Sequence, residues 1–236
     1  MIKAVIFDID NTIYNYDSCH AIAYQALAEY CRHSFSLEKD EYDTCYSQAG
    51  SIVIERVGTS TAAIHSRTLR FQCMMELLRQ PLFPHVEKMY QIYWGTFLAQ
   101  IVPHSGLLEV LSLLKSRHIR IGIGTDMTAR IQYKKLEKSG AAPFIDFVVT
   151  SEEAGVEKPD PRFFSLCLAK ARCRADECIF IGDNPIKDVK GALDFGMQGV
   201  LYTQGKEPPA AINTEYLISY EDWMKRPWEN VLELSQ

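Results

Sequence analysis

Two aspartates, Asp8 and Asp10, follow the apolar run Ala4 to Phe7 within the segment Asp8-Ile9-Asp10-Asn11-Thr12. A run this apolar suits a strand covered on both faces, and ligands of parallel sheets gather at the carboxyl ends of the strands. Two ionised carboxylates on one face of a strand end repel each other, so the pair requires a metal, a shared proton or both. A solvated turn, with Asn11-Thr12 capping the next element, is the competing reading. A calcium loop is a poorer fit: counted from Asp8, Ile13 stands where Gly is needed and Cys19 where Glu is needed. Other polar residues recur where later apolar runs end, namely Thr125, Lys158, and Asp183 with Asp188.

The elements that must position these residues fall into two kinds. After the first strand come about ninety residues with helical spacing and no convincing strand. Asp17 or Ser18 is placed to cap a helix through Ala28. Ser36 is placed to cap a second that ends at Gly50, a third runs from Ile64 to Leu78, and a fourth spans about Val86 to Leu98. From Pro103 onward helices and strands alternate. Strands are predicted at Ile119–Gly124, Phe147–Thr150, Cys178–Ile181, Gly199–Tyr202 and Tyr216–Ile218. Helices are predicted at Leu107–Leu114, after Thr128 as cap, from Pro161 to about Ala171, and from Asp183 to about Phe195. This alternation predicts an α/β fold, a doubly wound parallel-sheet core of Rossmann-like type, with an inserted all-helical domain. The expected division is a core of residues 1–14 and 101–236 and an insertion of residues 15–100; the one linker-like stretch is Gly205 to Pro209. In a parallel sheet all the polar strand ends face the same way, so one site could hold them all.

Composition excludes several classes. With 236 residues, 47% hydrophobic and 23% charged, the chain has the make-up of a soluble globular protein. No apolar run approaches the roughly 20 residues that span a bilayer. The start Met1-Ile2-Lys3 leads straight into the first strand and leaves no room for a secretory signal. A formal charge of -5 gives no case for a nucleic acid polymer as partner. Seven cysteines, odd in number and without a C-x-x-C pair, read as reduced thiols of a cytoplasmic protein, and six scattered histidines argue against zinc.

In their order, Asp8-Ile9-Asp10-Asn11-Thr12, Thr125, Lys158-Pro159-Asp160-Pro161, and Gly182-Asp183 with Asp188, the motifs resemble those of the haloacid dehalogenase superfamily. The match covers Val5 to Leu201, Gly191-Ala192 and Gly196-Met197 continue the pattern, and the helical insertion is similar to the family's small α-helical caps. The resemblance implies that Asp8 is a nucleophile that forms an aspartyl-phosphate. It implies that Asp10 is the general acid and later the base, and that Thr125 and Lys158 bind phosphoryl oxygens. Mg²⁺ would be held by Asp8, the main-chain carbonyl of Asp10 and Asp183, with Asp188 in support. Carboxylates and water suit such a hard ion. Asp10 can act as an acid only if its surroundings raise its pKa, and neighbouring carboxylates push that way. Asp126 stands where many relatives have Asn and is not counted as a ligand, and Asn11 replaces a commoner Gly.

The resemblance further implies a phosphohydrolase acting on a small phosphorylated metabolite. Dehalogenase members lack the second aspartate that Asp10 supplies. Phosphonatase members need a cap lysine, whereas Lys39 lies among Glu38, Asp40 and Glu41 on what reads as a solvated face and the other cap lysine is Lys88. A phosphomutase differs only in whether water or a sugar hydroxyl meets the aspartyl-phosphate. The Asp10-Asn11-Thr12-Ile13-Tyr14 run resembles nucleotidase members, which favours nucleoside monophosphates over sugar phosphates or phosphoglycolate. Tyrosines between Tyr14 and Tyr93 could stack on a base, though helical spacing suits core packing. Arg67 and Arg70, three apart on one helix face, could hold a second anionic group of the substrate. A receiver-like phospho-accepting module, the alternative outside enzymes, lacks a place for the insertion and for Asp10. A scaffold without activity is disfavoured because every role has its residue.

Overall fold

The apolar runs form one six-stranded parallel sheet, in a computed structural model that describes residues 1–206 and 215–225. Its strands are β1 (Ala4–Phe7), β2 (Arg120–Thr125), β3 (Phe147–Thr150), β4 (Cys178–Gly182), β5 (Gln198–Tyr202) and β6 (Tyr216–Leu217), in the spatial order β3-β2-β1-β4-β5-β6. Every residue of β1 and β4 is buried, the continuous apolar pattern of strands covered on both faces. The chain winds outward from β1 through β2 to β3, then from β4 to β6 on the other side. The order therefore reverses between β1 and β4, where doubly wound sheets open a crevice for ligands. Phe7 is level with Ile123 of β2 and Ile181 of β4, so the residues just beyond these strands emerge at one height.

The described residues divide into two compact units, Met1–Asn15 with Val102–Gln236, and Tyr16–Ile101. The second is all-helical: α1 (Tyr16–Phe35), α2 (Lys39–Val57), α3 (Arg67–Leu78) and α4 (His85–Ala99), with α1 packed on α4 and α2 on α3. The sheet unit adds α5 (Leu107–Ser116), α6 (Ala129–Ser139), the single turn α7 (Ser151–Ala154), α8 (Pro161–Ala171), the short α9 (Gly191–Asp194) and α10 (Tyr220–Lys225). Ile6, Val149 and Phe180 of the sheet share one buried apolar cluster with Phe163, Phe164 and Cys167 of α8. No helix among the described residues is long and apolar enough to cross a membrane.

Several boundaries differ from the sequence expectation. Ser36 does not cap α2; it takes a left-handed backbone, φ 54°, at the end of α1, and Glu38 caps α2 in a reciprocal box with Glu41. α2 does not stop at Gly50 but runs to Val57; the glycine makes room for Arg70, since an added Cβ would sit 2.8 Å from a guanidinium nitrogen. The third helix is broken by Ser66, whose Oγ accepts from Leu69 N at 3.3 Å and starts α3 afresh after a short turn at Ala62–His65. Thr128 makes no capping bond; Glu152 accepts from Ala129 N at 2.7 Å instead. The expected helix after Asp183 is a wide π turn, Pro185–Lys190, followed only by α9. Residues 207–209 of the expected linker lie outside the described residues.

Candidate active site

Asp8 leaves the sheet directly after β1, its N–H donating to Ile181 O at 2.8 Å, so the backbone is still held as in a strand when the side chain enters the crevice. Lys158 reaches the same point from the loop before α8. That loop ends where Asp160 caps α8, accepting from Arg162 N at 2.9 Å, with Pro161 in the first turn. The Lys158 ammonium donates to Asp8 Oδ1 at 2.7 Å, Asp188 Oδ1 at 2.6 Å and Gly124 O at 3.1 Å. Asp183 follows β4, and Asp188 comes from the π turn, its Oδ2 accepting from Asn184 N at 3.0 Å. This turn folds onto Gly182, where a Cβ would lie 2.2 Å from Asp188 Oδ2; only glycine lets the carboxylate in. Oxygens of Asp8, Asp183 and Asp188 all lie within 4.8 Å of one another.

Three carboxylates against one ammonium leave surplus negative charge. Burial pushes the Asp8 carboxyl well above its ordinary range; Lys158 opposes this, and Asp188, Asp183 and Asp10 add to it. Burial and then Asp188 push Asp183 up to about 7, again against Lys158. Burial presses the Lys158 ammonium down, but Asp188 and Asp8 outweigh it and hold its pKa well above the ordinary lysine value. A cluster of oxygen donors in which Asp8 and Asp183 resist ionisation fits a hard divalent cation such as Mg²⁺.

Asp10 sits differently from the sequence expectation. Its immediate charged neighbour is a cation: Lys135 Nζ donates to Oδ1 at 2.8 Å and Oδ2 at 2.7 Å, and the Tyr14 hydroxyl donates to Oδ1. Directly after Asp10 the chain turns at Asn11 with φ 60°, a left-handed conformation that Asn tolerates, which explains Asn in place of Gly. Thr125 ends β2, and its Oγ1 accepts from Gln132 Nε2 at 2.6 Å and donates to Asp126 O at 3.3 Å. Asp126 accepts from Lys158 N at 3.0 Å and Lys187 Nζ at 2.9 Å, so its added charge is met by a nearby cation. Lys187 also reaches Glu157 at 3.2 Å.

The sheet unit thus brings together Asp8, Lys158, Asp183 and Asp188, with Asp10 on the adjoining loop and Thr125 at the end of β2. Arg67 and Arg70 belong to the helical unit. Arg67 is 8% exposed, donates to the Tyr16 hydroxyl at 2.9 Å and lies over the Tyr93 ring. Arg70 lies over Tyr46, and the Nε of each arginine has no hydrogen-bond partner among the described residues. Burial, then Arg67 and Arg70, lower the pKa of neighbouring His20 to about 4. Tyr24 packs edge to face on Tyr42 and on Tyr46, each at 4.8 Å, the core-packing reading of the tyrosines, and Lys39 is exposed and paired with Asp43 at 2.6 Å. Sequence reasoning missed Gln132 and Lys135, although both fall on the face of α6 that also buries Ile131 and Leu136.

Residues 5–202 match the family described as Haloacid dehalogenase-like hydrolase. The chain is 34% identical to ribulose-1,5-bisphosphate 5-phosphatase of Halopiger xanaduensis, over 89% of this chain and 88% of that protein. It is 28% identical to glyceraldehyde 3-phosphate phosphatase of Methanocaldococcus jannaschii, over 87% of each. Its fold is similar to that of the HAD-hydrolase YfnB of Bacillus subtilis bound to magnesium, with TM-score 0.69, 22% identity and 98% of each chain covered.

Proposed function

The chain belongs to the haloacid dehalogenase-like hydrolases and is a phosphatase among them, and we propose that it is Mg²⁺-dependent and cleaves a small phosphomonoester through an aspartyl-phosphate on Asp8. The observation that carries this reading is the Asp8 carboxylate at the strand-order reversal, bonded to Lys158 and clustered with Asp183 and Asp188.

In the proposed mechanism Asp8 attacks phosphorus, the bond to the substrate alcohol breaks, and the leaving oxygen takes a proton from Asp10. Water then attacks the aspartyl-phosphate, gives a proton to Asp10 and releases inorganic phosphate with Asp8 restored. Lys158 and the Thr125 hydroxyl hold phosphoryl oxygens. Mg²⁺, held by Asp8, the Asp10 carbonyl, Asp183 and Asp188, would supply charge neutralisation for the phosphoryl group. The demand is large, since enzymes accelerate phosphomonoester hydrolysis by up to about 10²¹ and general acid catalysis gives on the order of 10²–10⁴ of it. Fixed charges and the covalent step supply the rest.

We assign substrate choice to the helical unit, as a cap, with Arg67 and Arg70 offering it cationic groups. Sugar phosphates lead as substrates, in keeping with the names of the two relatives. Nucleoside monophosphates come second: the run ending in Tyr14 favours them, but the Tyr14 ring is fully buried and its hydroxyl serves Asp10. Seven free cysteines are in keeping with a cytoplasmic setting. The test is phosphate release from sugar phosphates, sugar bisphosphates, phosphoglycolate and nucleoside monophosphates, with Mg²⁺ or chelator, for wild type and Asp8→Asn. Release that needs Mg²⁺ and falls by roughly 10³-fold or more in Asp8→Asn is expected. An active Asp8→Asn enzyme would overturn the nucleophile assignment.

A further inference from the structure

α6 carries a lysine in its apolar register. Ile131, Gln132, Lys135, Leu136 and Ser139 form its buried face, whereas Lys134 and Lys138 are exposed. Lys135 has no exposed side-chain surface, while the Asp10 side chain it contacts keeps 28%. Burying an ammonium is costly unless it is paired, and replacing a buried ion pair with apolar groups is often neutral or stabilising. A leucine would therefore satisfy the fold at this position. What leucine cannot do is grip a carboxylate.

The grip is specific. Lys135 Nζ spans both Asp10 oxygens, at 2.8 and 2.7 Å, and Tyr14 adds a second donor to Oδ1. Oδ1 thus takes two donors and Oδ2 one, so Oδ2 has the lone pair to spare for exchanging a proton with a leaving oxygen. One helical turn earlier, Gln132 holds the Thr125 hydroxyl at 2.6 Å. The same face of one helix orients both an acid and a phosphoryl-binding hydroxyl.

We propose that Lys135, aided by Tyr14, is a positioning residue that fixes the Asp10 carboxyl with Oδ2 presented to the leaving-group oxygen and offsets the negative charge that forms on Asp10 as the proton departs. The inference rests on the phosphohydrolase reading and on Asp10 as its acid. In the step concerned the Asp8–phosphorus bond forms, the phosphorus–oxygen bond to the alcohol breaks, and the Asp10 proton moves to that oxygen. A group that only positions the acid matters when the leaving group needs the proton and little when it does not.

The test compares kcat/KM for two substrates in the Mg²⁺-loaded enzyme: the alkyl phosphomonoester turned over fastest in the panel above, and p-nitrophenyl phosphate, whose leaving group is stable as an anion. Lys135→Met should lower the alkyl value by about 10- to 100-fold, within the range of general acid catalysis, and the p-nitrophenyl value by less than about threefold. Tyr14→Phe should show the same selectivity at smaller size, and it decides the matter if Lys135→Met does not fold by circular dichroism. Equal losses on both substrates would show a structural role and overturn the proposal, as would no loss on either. Wild-type enzyme that releases no phosphate from either substrate would instead overturn the phosphohydrolase reading beneath it.

Discussion

Protons and Mg²⁺ should compete for the Asp8, Asp183 and Asp188 cluster, and the competition should be visible in stability. Asp183 is raised from 3.8 to about 7, by burial and then by Asp188. The native state holds this proton more tightly than the unfolded chain. Its contribution to stability is therefore complete below about pH 4 and is lost as pH rises towards 7. At 1.36 kcal/mol per pH unit, the part lost between pH 5 and pH 8 is about 2–3 kcal/mol, or about 5–10 °C in Tm for a chain of this size. A cation bound among the three carboxylates replaces the proton and removes that loss. At a hundredfold excess over its Kd, Mg²⁺ adds about 2.7 kcal/mol, but at pH 5 it must first displace the proton. Calorimetry at pH 5 and pH 8, each with Mg²⁺ and with chelator, should give a Mg²⁺-induced rise in Tm at least about twice as large at pH 8. Taking the difference at each pH cancels titrating groups remote from the site. In Asp183→Asn the Mg²⁺ effect should be small at both pH values. A rise equal at both, or larger at pH 5, would refute the cluster as a metal site governed by its own protons.

Two substitutions probe the frame around the site. Gly182→Ala places a Cβ 2.2 Å from Asp188 Oδ2, so the carboxylate must move, breaking the 3.0 Å bond from Asn184 N to Oδ2 and disturbing the 2.6 Å bond from Lys158 to Oδ1. Mg²⁺ affinity should fall by about 10- to 100-fold, read from Mg²⁺ titration of phosphate release, and an unchanged affinity would show that Asp188 has no part in holding the ion. Arg70→Gln removes a guanidinium whose Nε has no partner among the described residues. It should raise KM about tenfold for a sugar bisphosphate and leave KM for a singly phosphorylated sugar unchanged, as expected if the arginine meets a second anion; equal changes on both would rule that out.

What the sequence disclosed of the site follows from how parallel sheets present residues. Val5 to Phe7 and Cys178 to Ile181 announce themselves by being apolar, and the first polar residue after such a run is placed by the strand whatever else the protein does. Asp8, Thr125 and Asp183 were legible for that reason, and Asp188 and Lys158 through the motif order around them. The residues that hold these groups in place follow no such rule. Lys135 stands beside Lys134 in a helix that also carries Arg130 and Lys138, so its segment reads as a basic solvent face. Only the spacing to Ile131 and Leu136 sets it apart. Gly50 reads as a helix stop because its cause, the Arg70 side chain, comes from another helix twenty residues away in the chain. The π turn at Pro185–Lys190 likewise depends on Asp188 reaching back to Asn184 N across a glycine. In each case the missing information is a contact between elements, which neither propensity nor periodicity encodes. The chemistry expected of Asp10 depends on the same kind of contact. Considered as one of several crowded carboxylates it is a group set by repulsion from its neighbours; with Lys135 and Tyr14 bonded to it, it is a carboxyl aimed by two donors. These descriptions differ in what removing Lys135 should do to substrates whose leaving groups do and do not need a proton.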